Sequence, residues 1–327
     1  GVYGTTAWGG AVTATYNADG GISTASMTGG NDGSASTDGN IQTGMDEYKN
    51  TEEVDVTLLM TADASAATQI YAINNIAEYR KDCIAFISPL QSQVVNNAGQ
   101  ELADVRGHRD SMPSSSYAVM DSGWKYMYDK YNDVYRYIPL NGDIAGCCAF
   151  TDQNADPFWS PAGAVRGNIR NCIKLPFNPN KTQRDGLYKK GVNPVVGMPG
   201  QGILLFGDKT LLAKPSAFDR INVRRLFILL EKSIANMAES FLFEFNDEFT
   251  RSRFVSTVEP FLRDVQARQG IQDFAVVCDS SNNTGDVVDR NEFRGDIYVK
   301  PSRSINFIQL QFVAVRSGVE FSEITGG

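Results

Sequence analysis

The sequence predicts an α/β domain with a βαβ-containing sheet, followed by a C-terminal α+β domain with two helices on a small, mostly antiparallel sheet. Residues 54–87 hold two apolar segments of strand length on either side of a segment with helical spacing, which is the pattern of a βαβ unit. Residues 219–270 carry two amphipathic helical stripes, and residues 274–314 alternate apolar and polar side chains as strands do. Helices packed on such a sheet form an α+β domain.

Residues 1–50 are interpreted as a returning strand and a linker. Residues 11–16 have the length of one short strand, whereas residues 17–44 are dominated by Gly, Ser, Thr, Asn and Asp. That composition buries too little apolar surface to order the backbone by itself. The chain starts at Gly1 without an initiator Met or an apolar leader, which indicates a fragment or a processed form.

Residues 51–205 are assigned to the α/β domain. We expect strands at 54–60 and 83–87 and a helix at 65–81, because apolar side chains there recur at helical spacing. Further along, 117–120 and 144–150 are buried segments that fit strand or helix. Residues 124–128 and 134–138 form an aromatic hairpin, and 151–200, rich in Pro, Gly and Asn, are expected to be long surface connections.

Residues 206–327 are assigned to the α+β domain with a terminal arm. Asp219 is a candidate N-cap for a first helix, Pro260 kinks a second helix or starts a new turn, and Gly270 is its expected stop. Strands are expected at 274–278, 293–299 and 308–314, with a turn at 282–285. The expected inward side chains of the two helices are Val223, Leu226, Phe227, Leu230, Ile234 and Met237, then Phe254, Val258, Phe261, Leu262 and Val265.

The composition argues against several classes of function. There are 30 Lys and Arg against 38 Asp and Glu, a net charge of −8, which does not suit a protein that coats nucleic acid. No segment approaches the roughly 20 consecutive apolar residues of a membrane span. An acidic chain of this kind suits a protein that must stay dispersed before it meets its partners.

Candidate catalytic and phosphate-binding features are weak. The five cysteines are expected to be buried, reduced thiols. His108, the single histidine, lies in a polar segment that we interpret as a solvated loop, where nothing would hold it as a base. The glycines at 29–33 and 197–202 lack the order of a phosphate loop and are expected to be turns. The sequence therefore predicts neither an enzyme nor a metal or cofactor site.

One basic cluster admits two interpretations. Arg220, Arg224, Arg225 and Lys232 recur along the first C-terminal helix, either as a solvated face or as a docking face for an acidic partner. Residues 1–205 contain 15 basic and 21 acidic residues and residues 206–327 contain 15 and 17, so the acidic excess lies mainly in the first part. A balanced segment in an acidic protein favours docking.

Several motifs resemble contractile tail sheath proteins, particularly those of T-even-like phages. Residues 218–226 (FDRINVRRL) and 243–246 (FEFN) are similar to a signature of that family, and 203–210 (ILLFGDKT) to one of its strands. The resemblance covers roughly residues 29–327 in family order. Further similar segments are Val277-Cys278-Asp279, Asn282-Asn283-Thr284 and Asp289-Arg290-Asn291 of a hairpin, Trp159 with Pro161-Ala162-Gly163, and 56–60 with 78–83 at the start of the βαβ unit.

The resemblance implies a structural virion subunit without a cofactor. Such a subunit is assembled in the host cytoplasm and binds other copies of itself in hexameric discs that stack helically around the tail tube protein. Its further partners are the baseplate and the tail terminator, and it neither binds nucleic acid directly nor inserts into a membrane. Contraction of the sheath drives the tube through the host envelope. Compared with whole members of that family, we expect the given residues not to include the extended N-terminal arm and the outer protruding domain of the T-even kind.

The resemblance also implies two groups of contact residues. We expect residues 206–316 to face the tube, with Arg251, Arg253, Arg263 and Arg268 as its better candidates for polar contacts. Arg224 and Arg225 are further candidates that we expect to be held in intradomain pairs. In residues 317–327, Val319, Phe321 and Ile324 alternate with polar residues, as in an arm that adds a strand to a neighbouring subunit.

Two alternatives remain beside the phage sheath. One is the sheath of a related injection system, an R-type pyocin or a type VI secretion apparatus, although the T-even-like hairpin favours a phage. The other is an α/β ligand-binding or hydrolytic enzyme. The near-absence of histidine and the lack of a nucleophile elbow argue against an enzyme.

Overall fold

The computed structural model describes Gly30 and residues 33–305. The chain divides into two compact units, Gly1–Thr37 and Asp38–Gly327, and every helix and strand below belongs to the second. The described residues of the first unit form neither a helix nor a strand. The strand predicted at 11–16 lies outside the described residues.

The helices and strands of the described part are given in chain order. The strands are β1 (Leu58–Met60), β2 (Ile84–Ile87), β3 (Ala118–Asp121), β4 (Trp124–Asp129), β5 (Val134–Pro139), β6 (Val192–Asn193), β7 (Val195–Met198), β8 (Gly202–Leu205), β9 (Ile271–Val277) and β10 (Asp296–Pro301). The helices are α1 (Asp38–Asp46), α2 (Ala66–Tyr71), α3 (Glu78–Arg80), α4 (Gln91–Val94), α5 (Glu101–Ser111), α6 (Asn141–Asn154), α7 (Lys181–Lys189), α8 (Ile221–Glu239), α9 (Glu248–Ala267) and α10 (Gly285–Asp289).

The predicted βαβ unit is confirmed. Strands β1, β2, β3 and β6 form a parallel sheet in this order, and β2 is buried along its whole length. The crossover helix begins where Ser65 accepts a hydrogen bond from the Thr68 backbone N–H, runs through a π-helical segment (Ala72–Ala77) and ends before Lys81, whose φ is +64°. Parallel neighbours require such a crossover.

The aromatic hairpin is also confirmed, since β4 and β5 pair antiparallel from Trp124↔Pro139 to Asp129↔Val134. The segment at 144–150, for which strand and helix were both open, lies in α6. Cys147 and Cys148 are buried there against the sheet's core.

Two loop predictions are wrong in part. Residues 38–46 form α1 although their composition predicts a linker, and residues 151–200 contain α7 and the strands β6 and β7. Helix α7 forms because Asn180 and Gln183 cap it reciprocally, with the Asn180 side chain accepting from the Gln183 backbone. The turn at 197–202 is confirmed as the connection between the antiparallel strands β7 and β8.

A second hydrophobic cluster lies in the C-terminal part. Helices α8 and α9 and the antiparallel pair β9 and β10 enclose it, and the predicted inward side chains Phe254, Val258 and Leu262 are buried. The predicted turn at 282–285 leads into the short helix α10. The third strand, predicted at 308–314, lies outside the described residues.

Two details of helix termination differ from prediction. Helix α8 begins after Arg220 without a side-chain cap, so Asp219 is not its N-cap; Asp219 ends a 3₁₀ turn that Ser216 caps. Helix α9 continues through Pro260, and its left-handed terminal residue is Gln269 (φ +69°), not Gly270. Gly270 is required for space instead, because a Cβ there would lie 2.8 Å from the Val265 side chain.

His108 is buried, which corrects its interpretation as a solvated loop residue. It lies in α5, 3% exposed, with Nε2 2.8 Å from Gln69 Oε1. The Gln69 amide donates to the carbonyls of Ala64 and Ser88, which fixes its oxygen toward the ring. Burial lowers the pKa of His108 to about 4. The histidine is therefore a neutral core residue.

This burial predicts a loss of stability in acid. Because the unfolded chain binds the His108 proton near pH 6.5 and the folded chain only near pH 4, stability is fully present above pH 6.5 and falls as pH decreases through this window. The total is about 3 kcal/mol. Asp121, whose pKa burial raises to about 8, contributes in the opposite direction. We therefore expect urea unfolding between pH 4 and 7 to show that His108→Gln gains stability relative to the parent chain as pH falls, by up to about 3 kcal/mol; a stability difference that does not change with pH would contradict the assignment.

Candidate assembly surface

Helix α8 connects the two hydrophobic clusters. Ile221 and Ile228 pack into the cluster around the parallel sheet, whereas Leu226 and Leu230 pack into the C-terminal cluster. Its first six residues, 221–226, are all buried. The amphipathic pattern predicts one apolar face, but this end of α8 is covered on all sides, so its polar side chains need partners inside the protein.

Arg224 is held between two aromatic rings. Its guanidinium carbon lies 4.1 Å from the centre of the Tyr117 ring and 4.0 Å from that of Phe218. Its terminal nitrogens donate to Tyr117 Oη at 3.0 Å and Ser116 Oγ at 2.8 Å. Burial lowers the pKa of Arg224. The side chain thus joins α8 to the loop before β3.

The other basic residues of α8 are also paired within the chain, Arg225 buried and Lys232 partly exposed, so they do not form one continuous solvated face. Arg225 binds the Asp152 carboxylate with Nη2–O distances of 2.7 and 2.5 Å, and Lys232 pairs with Asp55. The intradomain pairing expected for Arg224 and Arg225 agrees with their burial. In this conformation neither side chain is available to a tube.

Asp208 joins segments that are distant in the sequence through hydrogen bonds to its carboxylate. Its carboxylate, 2% exposed, accepts from Arg220 Nη1 at 2.9 Å, Tyr188 Oη at 3.0 Å and Ser304 Oγ at 2.6 Å. Ser160 Oγ donates to the same carboxylate at 3.1 Å. Burial, with Asp208 beside it, raises the pKa of Tyr188. The sequence motif 203–210 contains Asp208, but local pattern gave no sign of its partners.

The four arginines of α9 have unequal environments. Arg251 donates to Asn246 Oδ1 at 2.8 Å and is half-buried, whereas Arg253 lies exposed over the Phe241 ring. The side chain of Arg263 is 71% exposed and pairs with Glu259 at 3.1 Å, one turn earlier. Arg268 binds Asp156 at 2.6 Å and Asp264 at 2.5 Å. Their contact with a tube stays a prediction.

The sheet of β9 and β10 has two strands within residues 33–305. Each strand therefore has one edge without a strand partner in the described part of the chain. Side chains of β10 alternate between exposed and half-buried from Asp296 to Pro301, as predicted. The arm candidates Val319, Phe321 and Ile324 lie outside the described residues.

Four of the five cysteines are buried as expected, whereas Cys172 is only half-buried. Burial raises the pKa values of Cys83 and Cys148 to about 11 and that of Cys147 to about 12, so these groups remain protonated near neutral pH. No cluster of His, Cys, Asp and Glu that could hold a metal ion occurs in residues 33–305. Over the same range, no helix combines the length and apolar character needed to cross a bilayer.

Relatives of known name match most of this chain. The tail sheath protein of Vibrio phage KVP40 is 46% identical over 319 residues, 91% of this chain and 47% of that protein. The tail sheath protein of Enterobacteria phage T4 is 42% identical over 306 residues, 89% of this chain and 46% of that protein. The chain thus spans about half the length of the curated relatives it matches.

The fold and the family models agree with these relatives. The helical sheath of the anti-feeding prophage in its contracted state superposes with a TM-score of 0.69 at 17% identity, covering 86% of this chain and 76% of that one. The model of the phage tail sheath protein central domain matches residues 35–211, and that of the phage tail sheath C-terminal domain matches residues 213–314. The chain therefore belongs to the phage tail sheath protein family.

Proposed function

We propose that this chain is a structural, non-enzymatic subunit of a contractile phage tail sheath. It polymerises as hexameric discs around the tail tube, assembles in the host cytoplasm and drives the tube through the host envelope when the sheath contracts. The observation that carries this proposal is the ordered match of both sheath domains across residues 35–314. The baseplate and the tail terminator lie at the two ends of the stack of discs.

The proposed domains each contain one of the two hydrophobic clusters for the most part. Residues 51–205 form the α/β sheath domain, and residues 206–327 form the α+β domain with its arm, whose part 206–316 faces the tube. Residues 1–50 supply the linker and returning strand around α1. Helix α8 packs into both clusters, so this geometry favours their rotation as one body during contraction.

The arm supplies the flexible connection. Residues 317–327 pair as an added strand with a neighbouring subunit, for which the open edges of β9 and β10 are suitable. Subunits can then remain linked while their rigid bodies rotate.

Contacts with the tube are proposed to be polar and weak. Exposed ion pairs contribute about 0–1 kcal/mol each, which lets a sheath leave its tube during contraction. Arg263 and Arg268 are the strongest candidates, because α9 presents both side chains at least partly to solvent.

Charge reversal at these two positions tests the tube contact. We expect Arg263→Glu with Arg268→Glu to weaken decoration of purified tail tubes at low salt, with a smaller effect at high salt because screening reduces both attraction and repulsion. The matched control is Arg136→Glu with Lys190→Glu, two exposed cations of the α/β domain that pair with Asp129 and Asp110. Decoration by the α9 variant that equals the control at every salt concentration would contradict the proposal.

The sheath of another injection system is the second candidate. The superposition on the anti-feeding prophage sheath supports this candidate. The higher sequence identity to phage tail sheath proteins argues against it. Decoration of phage tail tubes rather than injection-system tubes decides between them.

A further inference from the structure

An exposed aromatic loop connects α8 and α9. We define the aromatic loop as residues 242–249 (LFEFNDEF), in which Leu242, Phe243, Phe245 and Phe249 are 63, 105, 84 and 72% exposed. Large apolar side chains exposed together mark an interaction site more often than single ones do. Three acidic residues, Glu244, Asp247 and Glu248, are interleaved with them.

Hydrogen bonds to neighbouring residues hold the backbone of the aromatic loop in place. Asn246 donates to the Glu292 carbonyl at 2.8 Å, and Arg251 donates to Asn246 Oδ1 at 2.8 Å and to its carbonyl at 3.1 Å. Phe243 is held at φ +69°, a backbone conformation that is costly for a bulky residue. The aromatic rings are thus presented outward on an ordered backbone, which lowers the entropy lost on binding.

A basic groove lies elsewhere on the same unit. It encloses about 980 Å³ between Trp159, Phe206 and Asn222, with residues 302–305 along one side. Four cations line it: Arg166, Lys181, Arg184 and Arg303.

None of these four cations has a carboxylate within ion-pair distance among residues 33–305. Arg166 lies 5.2 Å from the centre of the Trp159 ring and Arg184 lies 5.6 Å from that of Phe206. Two carboxylates, Asp185 and Asp208, line the groove as well, and Asp208 pairs with Arg220. The groove therefore combines flat apolar surface with a net positive charge, the complement of the aromatic loop.

A buried polar atom in the groove also lacks a partner. Asn222 is 5% exposed and lines the groove, and its Oδ1 makes no hydrogen bond in the described structure, while its Nδ2 donates to the Phe158 carbonyl at 3.3 Å. An unsatisfied buried acceptor is rare in a finished interior. A donor from a bound chain, such as a backbone N–H, would satisfy it.

The loop and the groove occupy opposite ends of one helical hairpin. Asn222 in the first turn of α8 and Gln269 just after α9 line the groove, whereas the aromatic loop is the turn that joins the two helices. With 19 residues in α8, the ends are separated by about 27 Å. A single copy therefore cannot place its own loop in its own groove.

We propose that the aromatic loop of one copy of this chain inserts into the basic groove of a second copy. The contact is head-to-tail, so each copy keeps one free loop or one free groove and the assembly stays open for further copies. This inference rests on the proposed sheath function for its biological meaning, but the contact can be measured without a tube. An apolar contact of this kind suits a link between copies that persists through contraction, unlike the weak polar contact with the tube.

Two complementary variants of the 327-residue chain test the contact. The loop variant carries Phe243→Ser and Phe245→Ser and keeps its groove, while the groove variant carries Arg184→Glu and Arg303→Glu and keeps its loop. Each variant alone should self-associate at least about tenfold more weakly than the parent chain in sedimentation velocity. Mixed one to one, they should associate more strongly than either variant alone, because the intact loop of one variant can still enter the intact groove of the other.

Matched controls separate the contact from general effects. Tyr131→Ser removes an aromatic residue that is 86% exposed in the β4–β5 turn, and Lys214→Glu reverses an exposed charge away from the groove; both should associate like the parent chain. Unchanged thermal midpoints show that all variants fold. A mixture that stays monomeric, or a loop variant that associates like Tyr131→Ser, would overturn the inference and leave the groove to another occupant. Tube decoration by the parent chain is scored separately, so failure of the sheath function and failure of this contact are distinguishable.

Discussion

Truncation after Arg316 is expected to abolish the formation of long tubes and to leave a folded, soluble chain. Residues 317–327 alternate Val319, Phe321 and Ile324 with polar side chains, which is the pattern of a strand. If these residues add a strand to a neighbour, main-chain hydrogen bonds carry most of the link. Electron microscopy and sedimentation of the truncated chain measure the loss.

The control for truncation keeps the backbone of the arm. Phe321→Ala removes one side chain but no main-chain donor or acceptor, so it should form tubes with at most a modest loss. Normal tubes from the truncated chain would refute strand exchange. Insolubility of the truncated chain would show instead that residues 317–327 belong to the core of their own domain.

Arg224→Ala is expected to lower the free energy of unfolding by about 3 kcal/mol, because it opens a cavity and removes buried hydrogen bonds. The lost contacts are those with the Tyr117 and Phe218 rings and with Ser116 Oγ. Replacing the same side chain by Met keeps much of its volume and removes a buried charge that has no carboxylate within ion-pair distance in the described part of the chain. Arg224→Met should therefore cost only about 1 kcal/mol.

Urea unfolding monitored by circular dichroism provides the measurement, with Arg263→Ala as the exposed control. Among residues 33–305, Arg263 pairs only with Glu259 on the helix surface, so its removal should change stability by less than about 0.5 kcal/mol. Equal losses for Arg224→Ala and Arg263→Ala would contradict the structural role assigned to Arg224.

Regular elements could be predicted because their patterns are local. The βαβ unit at 54–87 and the hairpin at 124–139 follow from periodicity and turn residues within a few neighbours. Helix α1 was missed because side chains that are distant in the sequence support it: Ser65 donates to Asp38, and Tyr71 to Asp46. The composition of residues 17–44 does not show these hydrogen bonds to Ser65 and Tyr71.

Candidate sites were harder to predict because burial depends on what the rest of the chain covers. His108 and Arg224 are polar residues that a sequence pattern places at the surface, yet both lie inside because α5 and the first turns of α8 are covered. The partners of Asp208 come from positions 160 to 304 and share no motif. The aromatic loop was visible as the FEFN motif, but only its exposure distinguishes an interaction surface from a core segment.

Electron microscopy of the purified 327-residue chain over a concentration series tests most directly whether it is a polymerising sheath subunit. We expect rings at low concentration and helical tubes of stacked rings as concentration rises, with residues 206–316 at the inner radius. A chain that remains monomeric at the highest concentration, both alone and with tail tubes, would contradict it.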